Sequence, residues 1–430
     1  MISKIKLKYI ITMWDSENMI KTIRNLVLIF VILVMLGFSL MVLSCTIPTD
    51  NAYASFSQDD VLSDGLYPML IPGYQSTELD MYTDSKILSE VSYYNRSQSL
   101  ISNSMRNYGT KGKNFDKFIK GEENVFQDHP HYWCGNLAVL RPLFYFIDYN
   151  SFRVLELFFE LIMVLAILRQ MIERNLKKFI VPFLLALFLI HPETIGMTIQ
   201  YSVVFNIMVI SVYALLRFKD ALFEGNRLFY YFLTIGMATS FLDLLTYPLV
   251  SFAVPMTFYL LLERNRSNLK DNVMKFILFG LTWSIGYVGM WASKWVISSI
   301  LLNENIVAYS LNKLLFRTSN VEFARMDAIL MNLSVYRHKS YLIIFALIAI
   351  YYAKRFIDLK ERISLGNLKG ALPFLLVAML PFVWYLFASN HSYIHFWFTY
   401  RELVIFFFAI LCTLELVIEK YDVSDADGLS

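Results

Sequence analysis

Long apolar runs parted by short segments rich in Lys and Arg recur along this chain, and that alternation leaves few folds open to it. A bilayer core of ~30 Å is crossed by a helix of about 20 apolar residues. The first such run, residues 26–45, follows Lys4, Lys6, Lys8, Lys21 and Arg24. Nine more are expected near 151–168, 179–190, 196–216, 228–242, 248–262, 276–302, 341–352, 371–388 and 403–418. The segments 169–178, 217–227, 263–275 and 354–369 are short and basic, and fall on one side by alternation, as the positive-inside rule requires. The expected fold is an all-α integral membrane protein of about ten transmembrane helices in the cell membrane, with both termini cytoplasmic. Composition agrees: 57% of residues are hydrophobic and only 17% charged, too few to cover a soluble globule of 430 residues. A net charge of +3 gives no reason to expect a nucleic-acid partner.

The expected organisation is a cytoplasmic segment 1–25, a first span 26–45, an extracytoplasmic loop 46–150, a polytopic bundle 151–419 and a cytoplasmic tail 420–430. The long loop is polar. Its residues 85–94 carry apolar side chains at helical spacing and read as an amphipathic helix lying on the membrane surface. In the second large outer loop, 305–315 and 323–333 read the same way. No internal repeat marks an inverted-repeat transporter. Cys45, Cys134 and Cys412 make no disulfide framework.

Two spans are too short for their flanking charges. Only residues 179–190 separate Lys178 from His191, about 20 Å of helix, and Arg227 to Asp243 gives about 24 Å. His191, Glu193 and Asp243 are therefore expected below the outer membrane surface, where polar groups survive only inside protein or along a water-filled cavity. Pro192 and Pro248 fit helices broken at that depth. Lys294 is the expected partner of Asp243, with snorkelling to lipid phosphate as the alternative.

All six histidines fall on the outer side of this topology. His129 and His131 lie in a run with Trp133 that leads to Arg141, and His391 and His395 stand in the last outer loop with Trp397 and Arg401. Such groups suit a phosphate and a stacked sugar ring, and suit an interfacial aromatic belt equally well. The spacings are not a zinc signature, and no nucleotide-binding or nucleophile-elbow motif occurs. The cofactor stays unassigned, with a divalent cation allowed. Asp59, Asp60, Asp80 and Asp84 are the loop carboxylates suited to deprotonate an acceptor hydroxyl. Asp84, after Thr83, also fits a helix cap.

One span, a large acidic outer loop with a surface helix, and a bundle of about nine further spans resemble the GT-C glycosyltransferases. That resemblance implies transfer of a sugar from a polyprenyl-phosphate-linked donor to a cell-surface glycan or lipid acceptor. It also implies a catalytic aspartate at Asp80 or Asp84, with Asp59-Asp60 matching the family's acidic pair behind the first span. Arg141, Lys294 and Arg401 would be the phosphate holders. Segments 241–248, 286–295 and 390–401 further resemble polytopic membrane proteins of surface-polysaccharide loci. The partners implied are membrane lipid, the lipid-linked donor and the glycan acceptor. A polymerase or ligase using the same donors, and a flippase of lipid-linked sugars, are the alternatives.

Overall fold

The computed structural model describes residues 16–58, 65–111, 114–264, 267–320, 323–358, 361–363 and 365–420. Asp59 and Asp60 lie outside the described residues, as do residues 1–15 and 421–430 of the two expected cytoplasmic ends.

The described residues are all-α, apart from two short antiparallel strand pairs, Gly109–Thr110 with Phe126–Gln127 and Glu361–Ile363 with Ile418–Lys420. Among them four helices are long and apolar enough to cross a membrane: Glu17–Ser44, Ile199–Arg217, Leu269–Leu302 and Lys369–Phe387. The bent pair Arg325–Arg337 and Lys339–Lys354 makes a fifth if taken as one span. The other expected spans are helical but shorter or more polar. Tyr149–Glu173 carries Glu156 and Glu160, while Arg227–Leu242, Val250–Glu263 and Leu403–Val417 stop short of full length. Ile180–Phe188 ends early. The chain then passes through His191 in the left-handed region (φ 55) and restarts as Pro192–Ile195, which is the break the short span called for.

The bundle core is built of aromatic and branched side chains such as Phe183, Phe258 and Phe408, whose rings meet edge to face. The helices Arg227–Leu242 and Leu269–Leu302 approach most closely. A Cβ on Gly236 would stand 2.1 Å from the Trp283 carbonyl oxygen, and one on Gly286 would stand 2.4 Å from that of Leu233. Small residues let two backbones touch, which is how helices associate where lipid supplies no hydrophobic drive.

The expected surface helices exist with shifted bounds: Met81–Ser92, Ile306–Thr318 and Arg325–Ser334. The first does not lie on a surface. Nearly all of its residues are buried, because it is wedged between the end of the bundle and the Gly109–Gln127 strand pair. A second core, with Met81, Leu88, Trp133 and Phe144, joins this loop segment to the first long helix. The three cysteines are free and buried.

Candidate functional site

The bundle end that carries residues 46–150 holds a cavity of about 360 Å³ whose walls come from four separate stretches of chain. The first wall is one face of the Met81–Ser92 helix: Thr83, Lys86, Ile87 and Glu90, the i, i+3, i+4, i+7 positions of a single stripe. Asp80 caps that helix. Its Oδ1 accepts from Thr83 N (2.8 Å), and its Oδ2 accepts from Thr83 Oγ1 (2.9 Å) and Trp397 Nε1 (3.4 Å). Burial raises its carboxyl above the usual carboxylate range against these donors.

The second wall is the segment after the Phe126–Gln127 strand, with Gln127, Asp128, His129, His131, Tyr132 and Cys134. The strand pair fixes its entry, and His129 N donates to Arg106 O at 2.7 Å. The third wall is the Ile306–Thr318 helix, which presents Tyr309, Lys313 and Arg317 at i, i+4, i+8. The fourth is the last loop, with His391, His395, Trp397 and Phe398; Gln200 and Leu244 also line the space.

Arg317 ties the third wall to the fourth. Its Nη1 donates to His395 Nε2 at 2.8 Å and lies 3.3 Å from His391 Nδ1. Burial, reinforced by Arg317, pushes the His395 imidazole down to about 3, and burial with the neighbouring His129 does the same to His131. His391 is also held well below its ordinary value by burial. These three rings are neutral at pH 7, so the positive charge of the walls rests on Lys86, Lys313 and Arg317. Among the described residues none of these three cations has a carboxylate within ion-pair distance. His131 Nδ1 and His395 Nδ1 are buried without a hydrogen-bond partner there. Unpaired buried donors and unpaired cations in one enclosure suit a polyanionic, oxygen-rich ligand. Aromatic faces complete it, with Tyr67 edge-on to Trp397 at 5.6 Å and Lys86 over the Tyr82 ring at 4.4 Å.

Several expected site residues are elsewhere. Asp84 is fully buried on the opposite face of its helix, where it accepts from Ile199 N (2.8 Å), Gln200 N (2.9 Å) and Tyr149 Oη (2.5 Å). It clasps the loop helix to the N-terminus of the Ile199–Arg217 helix and has no route to a ligand. Burial pushes its carboxyl up to about 7. The helix cap is Asp80, not Asp84. Arg141 donates to Cys45 Sγ and to Glu90 O, holding the first long helix and the loop helix together. Lys294 donates to Met105 O at 2.8 Å and lies over Trp133 instead of pairing with Asp243. Asp243 is satisfied within its own turn by Thr246 N and Oγ1. Arg401 is fully buried, with its guanidinium 4.0 Å from the Tyr201 ring centre and bonded to Thr194 Oγ1 and Trp397 O. Each of these expected phosphate holders makes hydrogen bonds inside the protein, and the Nε atoms of Arg141 and Arg401 are buried without a partner among the described residues.

His191 and Glu193 bond to each other (2.6 Å) and pack in a separate aromatic cluster with Tyr74 and Tyr341, away from the cavity. The stretch 241–248 does reach the cavity, but through Leu244, not Asp243. Of the histidines proposed, His129, His131, His391 and His395 do converge. Among the described residues no group of three or more His, Cys, Asp or Glu side chains is placed to hold a metal ion.

Lys86, Glu90, Gln127, Lys313 and Arg317 were not anticipated. For all but Gln127, which lies in a strand, the sequence signal is the helical stripe, Thr83-Lys86-Ile87-Glu90 on one helix and Tyr309-Lys313-Arg317 on the other. No family model, curated protein or solved structure matches this chain.

Proposed function

We propose that the chain is a multi-pass glycosyltransferase of the cell membrane that moves a sugar from a polyprenyl-phosphate-linked donor to a cell-surface glycan or lipid acceptor. In this reading about ten spans place both termini in the cytoplasm and the cavity on the extracytoplasmic side. The observation that carries it is the convergence of Lys86, Lys313 and Arg317, all without carboxylate partners among the described residues, in one cavity walled by neutral imidazoles and aromatic rings. A sugar phosphate leaves as an anion when its glycosidic bond breaks. Fixed cations aimed at that developing charge in a sheltered site are an effective form of transition-state stabilisation. Trp397, Tyr67 and Tyr82 supply faces on which a sugar ring stacks.

The Arg317–His391–His395 wall also favours a second reading, a polysaccharide polymerase or ligase drawing on the same class of donor. Product size separates the two: one added sugar against a transferred repeat unit or chain.

The test uses membranes containing the full chain and a radiolabelled polyprenyl-phosphate sugar. Label should enter a glycan or glycolipid product with the wild type, and fall at least 100-fold with Lys313→Ala/Arg317→Ala at equal expression. Translocation of the labelled lipid across sealed vesicles with no new glycosidic bond would contradict the reading and identify a flippase.

A further inference from the structure

The base of this reaction need not be an aspartate, because the cavity holds a carboxylate–imidazole pair better placed for the task. We infer that His129, oriented by Glu90, takes the proton from the acceptor hydroxyl; the assignment rests on the glycosyl-transfer reading above. Glu90 Oε1 lies 3.0 Å from His129 Nδ1, and Gln127 Nε2 lies 3.1 Å from His129 Nε2. With the amide nitrogen of Gln127 donating, Nε2 is the acceptor and Nδ1–H donates to the carboxylate. That tautomer points a basic nitrogen at the cavity side chain Gln127, which an incoming hydroxyl can replace. Both partners are held from behind. Arg141 Nη2 donates to Glu90 O (2.9 Å), and His129 N donates to Arg106 O.

Among the described residues, the competing aspartates of the cavity are already employed. Asp80 is 1% exposed and takes three hydrogen bonds, two of them from the first turn of its own helix. Asp128 is engaged by Arg106 at 2.6 Å. His129, with a side chain 21% exposed, is more open than Asp80.

In the step, the acceptor O–H bond breaks and its proton passes to His129 Nε2. The oxygen forms a bond to the anomeric carbon while the bond from that carbon to the phosphate oxygen breaks. The polyprenyl phosphate leaves with the electron pair, and the proton is then released from His129 to water. His129 is the catalytic residue and Glu90 a positioning residue.

Transfer and binding are measured on the same purified full chain, with binding read by a short-chain polyprenyl phosphate. His129→Gln should lose transfer by about 100-fold or more, the span of general-base catalysis, with polyprenyl phosphate binding within threefold of wild type. Added imidazole should restore transfer at least tenfold in His129→Gly and not in the wild type. Glu90→Gln should fall between. Full transfer by His129→Gln, loss of binding in step with transfer, absence of imidazole rescue, or activity that survives His129→Gln but vanishes in Asp80→Asn each overturns the assignment. A wild type that neither binds nor transfers overturns the glycosyl-transfer reading itself.

Discussion

At the scale of single residues, the chemistry of a side chain says what it can do, and its neighbours decide whether it is free to do it. Asp84 illustrates this. Its carboxylate has three donors from the bundle, so it is a fastener joining the loop to the helix Ile199–Arg217. Asp84→Ala would leave the backbone N–H groups of Ile199 and Gln200 buried and unpaired. We expect about 2–4 kcal/mol of lost stability, read as a lower unfolding temperature of the detergent-solubilised protein. The buried histidines give a second prediction. His131 and His395 bind a proton only near pH 3 when folded but near 6.5 when unfolded. Between those values the unfolded chain holds more protons, so the stability these neutral rings provide is present above about 6.5 and is lost as pH falls. Over thermal unfolding from pH 7 to 4.5 each ring should contribute a loss of about 2–3 kcal/mol, read as wild type minus variant because the Asp84 carboxyl, raised by burial, acts in the opposite direction. His131→Gln and His395→Gln should each remove its ring's share of that loss. Variants whose pH dependence equals the wild type's would contradict the burial of these rings.

Elements carry the next level of information, and here the sequence was legible in part. Every expected span contains a helix, and among the described residues four or five of these helices are long and apolar enough to cross a membrane. The break at His191 followed from too few residues between two charged ends. The orientation of the loop helix did not. Its cap lies at Asp80, four residues before Asp84, and at 100° per residue Asp84 and Lys86 point to different faces. Only the partner surfaces decide which face becomes core and which becomes cavity, and those surfaces come from residues as far as 317 positions away, as with Trp397 and Asp80. For the same reason Arg141, Lys294 and Arg401 looked like phosphate holders. Their charge is visible in sequence, but the buried acceptors that occupy them, Cys45 Sγ, Met105 O and Thr194 Oγ1, are not. The contact between Arg227–Leu242 and Leu269–Leu302 makes a prediction at this scale. Gly286→Ala places a methyl against the Leu233 carbonyl and forces the pair apart. We expect about 1–3 kcal/mol of destabilisation in thermal unfolding, and a larger loss for Gly236→Ala/Gly286→Ala together.

For the molecule as a whole, the cavity exists because the first loop segment and the last loop close over one end of the helical bundle. The stretch 390–402 ties that closure together. Asn390 Nδ2 donates to Phe316 O, and Trp397 Nε1 donates to Asp80 Oδ2, so the loop bridges the Ile306–Thr318 and Met81–Ser92 helices. Lys86, Lys313 and Arg317 reach a common space only through that assembly. The account therefore stands on whether those cations hold a lipid phosphate. Equilibrium binding of a short-chain polyprenyl phosphate to the purified full chain tests this most directly, comparing wild type with Lys313→Ala/Arg317→Ala. Saturable binding by the wild type, weakened at least 100-fold in the double variant while its unfolding temperature is kept, is the predicted result. Equal binding by the two proteins, or none by the wild type, would contradict it.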